Sequence, residues 1–234
     1  MIAKIRLIAL LLFWTLNFFV FIPWLYLWGW VSKKSFTYYT KIGYPFFVAS
    51  FKFFGVKVKI HGREQIDPTA SYVVMSNHQS MLDIPAIMAF VLPVAFLAKK
   101  ELFKIPFFGP AIRKTGCLEV DRTNPRNNRD LSARMVANME QGVSFCVFPE
   151  GTRSSDGKLL PFKKGIFRYV KEKPVAILPV TLRGLNKVLS KNKFGLYPGT
   201  VDLIIHPPIP KEKVESLGFD ELKEHVFSVI GSAL

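Results

Sequence analysis

The chain is short of cysteine, of acidic side chains and of clustered histidine, and each shortage excludes a class of protein. Its two cysteines, Cys117 and Cys146, both stand in apolar, strand-like runs, so they read as small core residues with no disulfide framework and no thiolate metal site. Its four histidines, His61, His78, His206 and His225, are scattered, and none shares a metal-ligand spacing with another. The Gly-x-Ser-x-Gly elbow of a serine hydrolase is missing, as are internal repeats and low-complexity linkers. Seventeen acidic residues against 32 lysines and arginines leave a formal charge of +15 and a pI of about 9.9, while the mean hydropathy is positive at +0.23. Basic and apolar together point to an anionic membrane surface and away from nucleic acid. At 234 residues the chain is one ordinary domain plus an appendage.

Charge is also absent from Leu7 to Val31, a run rich in Leu, Phe and Trp and long enough to span a hydrocarbon core of about 30 Å. Pro23 interrupts it, and basic residues flank both ends, Lys4 and Arg6 before and Lys33, Lys34 and Lys41 after. The positive-inside rule then favours neither orientation of a single span. A helical hairpin that dips into one leaflet and returns satisfies both flanks, with Trp14, Trp24, Tyr26, Trp28 and Trp30 at interfacial depth; a single transmembrane helix is the competing reading. The run is too long for a signal peptide, and no small-residue cleavage pattern follows it. Phe36 to Phe54 mixes Tyr, Phe and Lys as a helix lying on a membrane does. Residues 1–54 are therefore expected to form membrane-anchoring helices, and residues 55–234 a separate folded domain.

After Gly55 short β-rich runs alternate with helical stretches. The expected strands are Val56–Ile60, Tyr72–Ser76, Val94–Ala98, Cys117–Val120, Ser144–Phe148, Val175–Leu182 and Val201–His206. The expected helices are Ile84–Phe90, Gly109–Lys114, Asn128–Gln141, Gly165–Lys171 and Phe219–Ile230. This alternation predicts an α/β fold, a mixed β-sheet flanked by helices, with functional groups on loops at the carboxyl ends of strands.

One such loop carries His78 and, five residues on, Asp83. An imidazole takes a proton from a hydroxyl, and a carboxylate beside it fixes the tautomer and stabilises the imidazolium. On a continuous helix five residues rotate by about 140°, so the pair shares a site only if the chain turns between them. A strand to Ser76, a loop to Ser80 and Asp83 in the first turn of a helix supply that turn, and Pro85 suits an early helical position. A loop histidine before a helix-capping aspartate gives the same spacing. Three further strand ends deliver cations: Lys99 and Lys100, Arg122 after Asp121, and Arg153 in Pro149-Glu150-Gly151-Thr152-Arg153. Lys163 and Lys164 precede a helix whose amino terminus favours anions. Each is also what a solvated element end looks like; the set is harder to explain so.

In order and spacing the set resembles the 1-acylglycerol-3-phosphate acyltransferase family of glycerolipid acyltransferases. Asn77-His78-Gln79-Ser80-Met81-Leu82-Asp83 matches the first block, and Gly116 to Arg122 the second. Phe148-Pro149-Glu150-Gly151-Thr152-Arg153-Ser154 matches the third, and Val175-Ala176-Ile177-Leu178-Pro179-Val180 the fourth. The likeness covers roughly Val56 to Pro208. It implies acyl transfer from a thioester, acyl-ACP or acyl-CoA as co-substrate, to the 2-hydroxyl of lysophosphatidic acid, giving phosphatidic acid in phospholipid biosynthesis. In it His78 is the general base and Asp83 its orienting acid. Lys99, Arg122 and Arg153 bind the substrate phosphate, with Glu150, Gly151 and Thr152 shaping that site. The implied partners are the lipid bilayer, lysophosphatidic acid and the carrier protein or coenzyme A thioester, with no nucleic acid, metal or redox cofactor. The implied location is a membrane, with the catalytic domain on the cytoplasmic face of a bacterial inner membrane. The alternatives are another acceptor (glycerol-3-phosphate or a different lysophospholipid), a thioesterase or lipase using Ser76 or Ser80, and a non-enzymatic basic membrane-binding protein.

Overall fold

The computed structural model describes residues 1–16, 36–121 and 123–234. Residues 2–16 are helical (α1), and α2 (Phe36–Phe53) follows. Then come β1 (Val56–His61), β2 (Val73–Ser76), α3 (Asp83–Phe90), β3 (Val94–Lys99), α4 (Phe108–Lys114), β4 (Leu118–Val120) and α5 (Leu131–Glu140). The chain closes with β5 (Ser144–Val147), α6 (Lys164–Glu172), β6 (Ile177–Arg183), α7 (Leu185–Val188), β7 (Gly199–Ile205), α8 (Lys211–Ser216) and α9 (Phe219–Gly231). The turn expected around Pro23, and the tryptophans from Trp24 to Trp30, lie outside the described residues. Among those described, no helix is long and apolar enough to cross a membrane.

The strands form one seven-stranded sheet in the order β1-β7-β6-β2-β5-β3-β4. β6, β2, β5, β3 and β4 run parallel, and β7 and β1 run the other way at one edge. The sheet is mixed, as the alternation of runs predicts. Its parallel section places the carboxyl ends of five strands along a single rim, which is where the motif loops emerge.

The central strand β2, Val73-Val74-Met75-Ser76, is buried throughout, as a parallel strand covered on both faces must be. Val73 and Met75 point into one core with Phe145, Met135, Phe167, Val170, Leu222 and Val226, beneath α5, α6 and α9. Val74 points into the other with Cys146, Leu178, Ile87, Leu7, Leu10 and Phe51, beneath α1, α2 and α3. α1 is thus packed against the body: its Leu7 and Leu10 are buried, Phe13 stacks on Phe46 at 5.0 Å, and the Ala3 carbonyl accepts from the Leu196 amide.

The helix expected to begin at Asn128 begins at Leu131, because residues 125–128 make a tighter turn and Asn128 is consumed elsewhere. Its side chain accepts from the Asp121 amide and donates to the Asp121 carbonyl. α7 and α8 are too short to leave a periodic signal and are not anticipated from the sequence.

Candidate active site

His78 and Asp83 meet. The chain leaves β2 at Ser76, turns through residues 77–80 and enters α3 at Asp83, so the carboxylate folds back beneath the loop. Asp83 Oδ2 accepts three hydrogen bonds, from His78 Nδ1 at 2.7 Å, the Gln79 amide at 2.6 Å and the Ser80 amide at 2.9 Å. The aspartate therefore shapes the loop that presents its own partner. Burial pushes the Asp83 carboxyl above the ordinary carboxylate range, and the hydrogen bonds from His78 and the two amides pull it back.

His78 is held on every side except one. Its amide donates to Glu150 Oε1 at 2.6 Å, and its carbonyl accepts from the Ser154 amide at 2.7 Å. Its ring stacks on Phe148, with centroids 4.0 Å apart and planes 14° apart. With Nδ1 donating to Asp83, the proton sits on that nitrogen and Nε2 carries the lone pair. Nε2 has no hydrogen bond among the described residues, and the side chain is 18% exposed. The ring is thus oriented by Asp83 through one nitrogen and leaves the other without a protein partner among the described residues.

The third-block loop braces this arrangement. Glu150 is buried; Oε1 is taken by the His78 amide, and Oε2 accepts from the Leu160 amide at 2.8 Å. Its carboxyl is raised by burial, against the lowering effect of those two amides. Gly151 adopts φ +69°, which a side-chain-bearing residue rarely does. Thr152 is exposed, and Arg153 is half-buried with its carbonyl accepting from Lys191 Nζ at 2.9 Å. Lys99 ends β3 on the same rim and is exposed. Its neighbour Lys100 is committed instead to Asp121, at 2.6 Å. Arg122 lies outside the described residues.

Other polar residues of the first block are structural. Asn77 Nδ2 donates to the Leu182 carbonyl and its Oδ1 accepts from the Leu182 amide, at 2.8 and 2.7 Å, mimicking a strand partner for β6. Ser76 and Ser80 are fully buried, and their hydroxyls donate to the carbonyls of Asn77 and Leu189. Neither is placed to act as a nucleophile. Cys146 is buried too, and burial together with the Asp83 charge pushes its thiol up, away from thiolate chemistry.

A family model described as Acyltransferase matches residues 57–183, which contain His78, Asp83, Lys99 and the loop of Glu150 and Arg153. The chain belongs to the acyltransferase family. Its relatives include the chloroplastic 1-acyl-sn-glycerol-3-phosphate acyltransferase LPAT1 of Arabidopsis thaliana, 38% identical over 74% of this chain and 47% of that protein. A Borreliella burgdorferi protein named 1-acyl-sn-glycerol-3-phosphate acyltransferase is 31% identical over 75% of this chain and 69% of its own length. The crystal structure of the 1-acyl-sn-glycerophosphate acyltransferase PlsC from Thermotoga maritima superposes with a TM-score of 0.82 at 31% identity, covering 99% of this chain and 96% of that one. The chain spans about half the length of the plant relatives, 47% and 48%.

Three contacts in the site escape a reading of the sequence. Phe148 carries no polar signal that would mark it as the face on which His78 rests. Glu150 is expected to help shape the phosphate site, and the sequence does not show that both its oxygens bind backbone amides. Gln79 donates to the Gly157 carbonyl and so ties the two loops at a second point. Each is a contact across loops from strands β2 and β5, adjacent in the sheet but about 70 residues apart in the chain.

Proposed function

We propose that the chain transfers a fatty acyl group from an acyl thioester, on coenzyme A or acyl carrier protein, to the 2-hydroxyl of lysophosphatidic acid, giving phosphatidic acid. The observation that carries the chemistry is the 2.7 Å contact of His78 Nδ1 with buried Asp83 while Nε2 stays open. The acceptor is supported by the names of the relatives and by the cations Lys99 and Arg153 on the same rim.

In this mechanism Nε2 removes the proton of the acceptor hydroxyl as its oxygen attacks the thioester carbonyl. Asp83 stabilises the imidazolium that forms. The new C–O bond is made, the tetrahedral intermediate collapses with loss of the C–S bond, and the proton on Nε2 passes to the departing sulfur. No acyl-enzyme forms, in keeping with the commitment of Ser76 and Ser80 to backbone carbonyls. Arg153 and Lys99 hold the phosphate monoester, which orients the glycerol hydroxyl toward His78.

The acceptor and product are bilayer lipids, so the site works at a membrane surface. α1 supports this: Ile5, Ile8, Leu12 and Leu16 form one exposed apolar stripe on the side away from the buried Leu7 and Leu10.

The decisive experiment is acyl transfer by the purified chain, comparing lysophosphatidic acid, glycerol-3-phosphate and lysophosphatidylethanolamine with each thioester donor. Phosphatidic acid should form, and His78→Ala should lower kcat by about 10²–10⁴-fold, the usual worth of a general base. Activity with another acceptor alone would change the substrate and keep the mechanism, whereas thioester hydrolysis without an acceptor would restore the hydrolase reading.

A further inference from the structure

Of the two lysines at the start of α6, Lys163 is carried back to the loop of Arg153, ten residues earlier. It precedes α6 at the end of the loop that begins at β5, and its amide donates to the Pro149 carbonyl at 2.8 Å, which pins the root of the side chain against the start of that same loop. From there the side chain folds back across Gly151. A methyl group built on Gly151 would stand 2.9 Å from Lys163 Cδ and 3.0 Å from Cε and Nζ, so the ammonium lies directly over the glycine.

Gly151 joins Glu150, which holds the His78 amide, to Thr152 and Arg153. An exposed lysine ordinarily extends into water, where its ammonium is best hydrated. Here it lies on the loop beside the catalytic base. It has no ion-pair partner among the described residues. Glu150, next to Gly151 in that loop, spends both oxygens on the amides of His78 and Leu160. The ammonium lies over Gly151, two residues before Arg153 in the same loop, where an anion would complete it.

We infer that Lys163 is a further phosphate-binding residue, holding the phosphate monoester of the acceptor together with Arg153. The inference rests on the acceptor reading above and extends it to a residue outside the third block. Binding, read separately from turnover, tests it. Short-chain lysophosphatidate and the matching monoacylglycerol are titrated into the full chain carrying His78→Ala, with Lys163→Ala and Lys163→Arg added in turn. Loss of one charge-assisted hydrogen bond should weaken lysophosphatidate by roughly 10-fold to 100-fold, leave monoacylglycerol unchanged, and be largely restored by arginine. In the His78-intact enzyme Lys163→Ala should raise the acceptor KM while kcat and the donor KM hold. Equal weakening of both ligands, no weakening of either, or a rise confined to the donor KM overturns the assignment. Failure of the unmodified chain to acylate lysophosphatidate would sink the acceptor reading instead, and the phosphate dependence of binding would still judge Lys163.

Discussion

Glu150, expected to help shape the phosphate site, spends its carboxylate on two backbone amides. A carboxylate beside a phosphate would repel it; one that accepts the His78 amide at 2.6 Å and the Leu160 amide at 2.8 Å fixes where the imidazole stands. Charge-assisted bonds are about twice as strong as neutral ones, so Glu150→Gln should loosen the His78 loop without emptying the acceptor site. The expected result is a fall in kcat of about tenfold or more, roughly 1.4 kcal/mol in the barrier, with the acceptor KM near its original value. Steady-state kinetics over a range of lysophosphatidate concentrations check it; a rise in KM alone would return Glu150 to the phosphate. The His78/Asp83 pair is legible in the sequence because its two members lie within one turn of chain. The grip of Phe148 and Glu150 on His78 is not, because it depends on β5 settling beside β2.

At the scale of elements, the link from β4 to α5 is gathered on one carboxylate. Asp121 takes Lys100 Nζ at 2.6 Å, the Thr123 hydroxyl and amide, the Asn124 amide and the Asn127 side chain. The Lys100 ammonium, followed by those hydroxyl and amide donors, holds its carboxyl well below the usual carboxylate range. Asp121 in return raises the Lys100 ammonium above its ordinary value. The signs set a window. A depressed acid contributes stability above its unfolded pKa of about 3.9 and loses it as pH falls through the folded value. A raised base contributes below about 10.4 and loses it as pH climbs through its folded value. The stability difference between the unmodified chain and Asp121→Asn should therefore be flat from about pH 5 to pH 9, and shrink on either side. Urea midpoints across that range measure it; a difference that ignores acid would deny Asp121 this role. The clasp also explains why the sequence misplaces the start of α5. Asn128 has the look of a helix start, but its amide is spent on the Asp121 backbone, a contact no local periodicity reveals.

At the scale of the whole molecule, the two covered faces of the sheet differ in what they offer outside. The face under α5, α6 and α9 ends in a polar helix surface, with Lys164 and Arg168 outward and Ile166, Phe167 and Val170 inward. The face under α1 and α2 ends in apolar surface: Ile5 is 57% exposed, Leu12 63%, Leu16 65% and Phe53 78%. The alternation of strands and helices makes the two-layer cover legible from sequence. The packing of α1 on the body is not, because an unbroken apolar run reads the same whether protein or lipid covers it. Protein covers one side here: Leu7 and Leu10 are sealed by Phe51 and Phe54, and the opposite stripe is exposed. Because Ile5 and Leu12 are mostly exposed, glutamates there cost the fold little. Burying one such side chain in lipid contributes about 1.5–3 kcal/mol, so Ile5→Glu with Leu12→Glu should weaken partition onto anionic vesicles by roughly 10²–10⁴-fold. Transfer to a short-chain acceptor dissolved in detergent should persist, while transfer to lysophosphatidate held in vesicles should fall with the partition. Co-sedimentation with vesicles, read beside both assays, separates the outcomes. Undiminished sedimentation would move the membrane contact off this stripe, and equal loss in both assays would mean that the substitutions had disturbed the packing of α1 on the catalytic body.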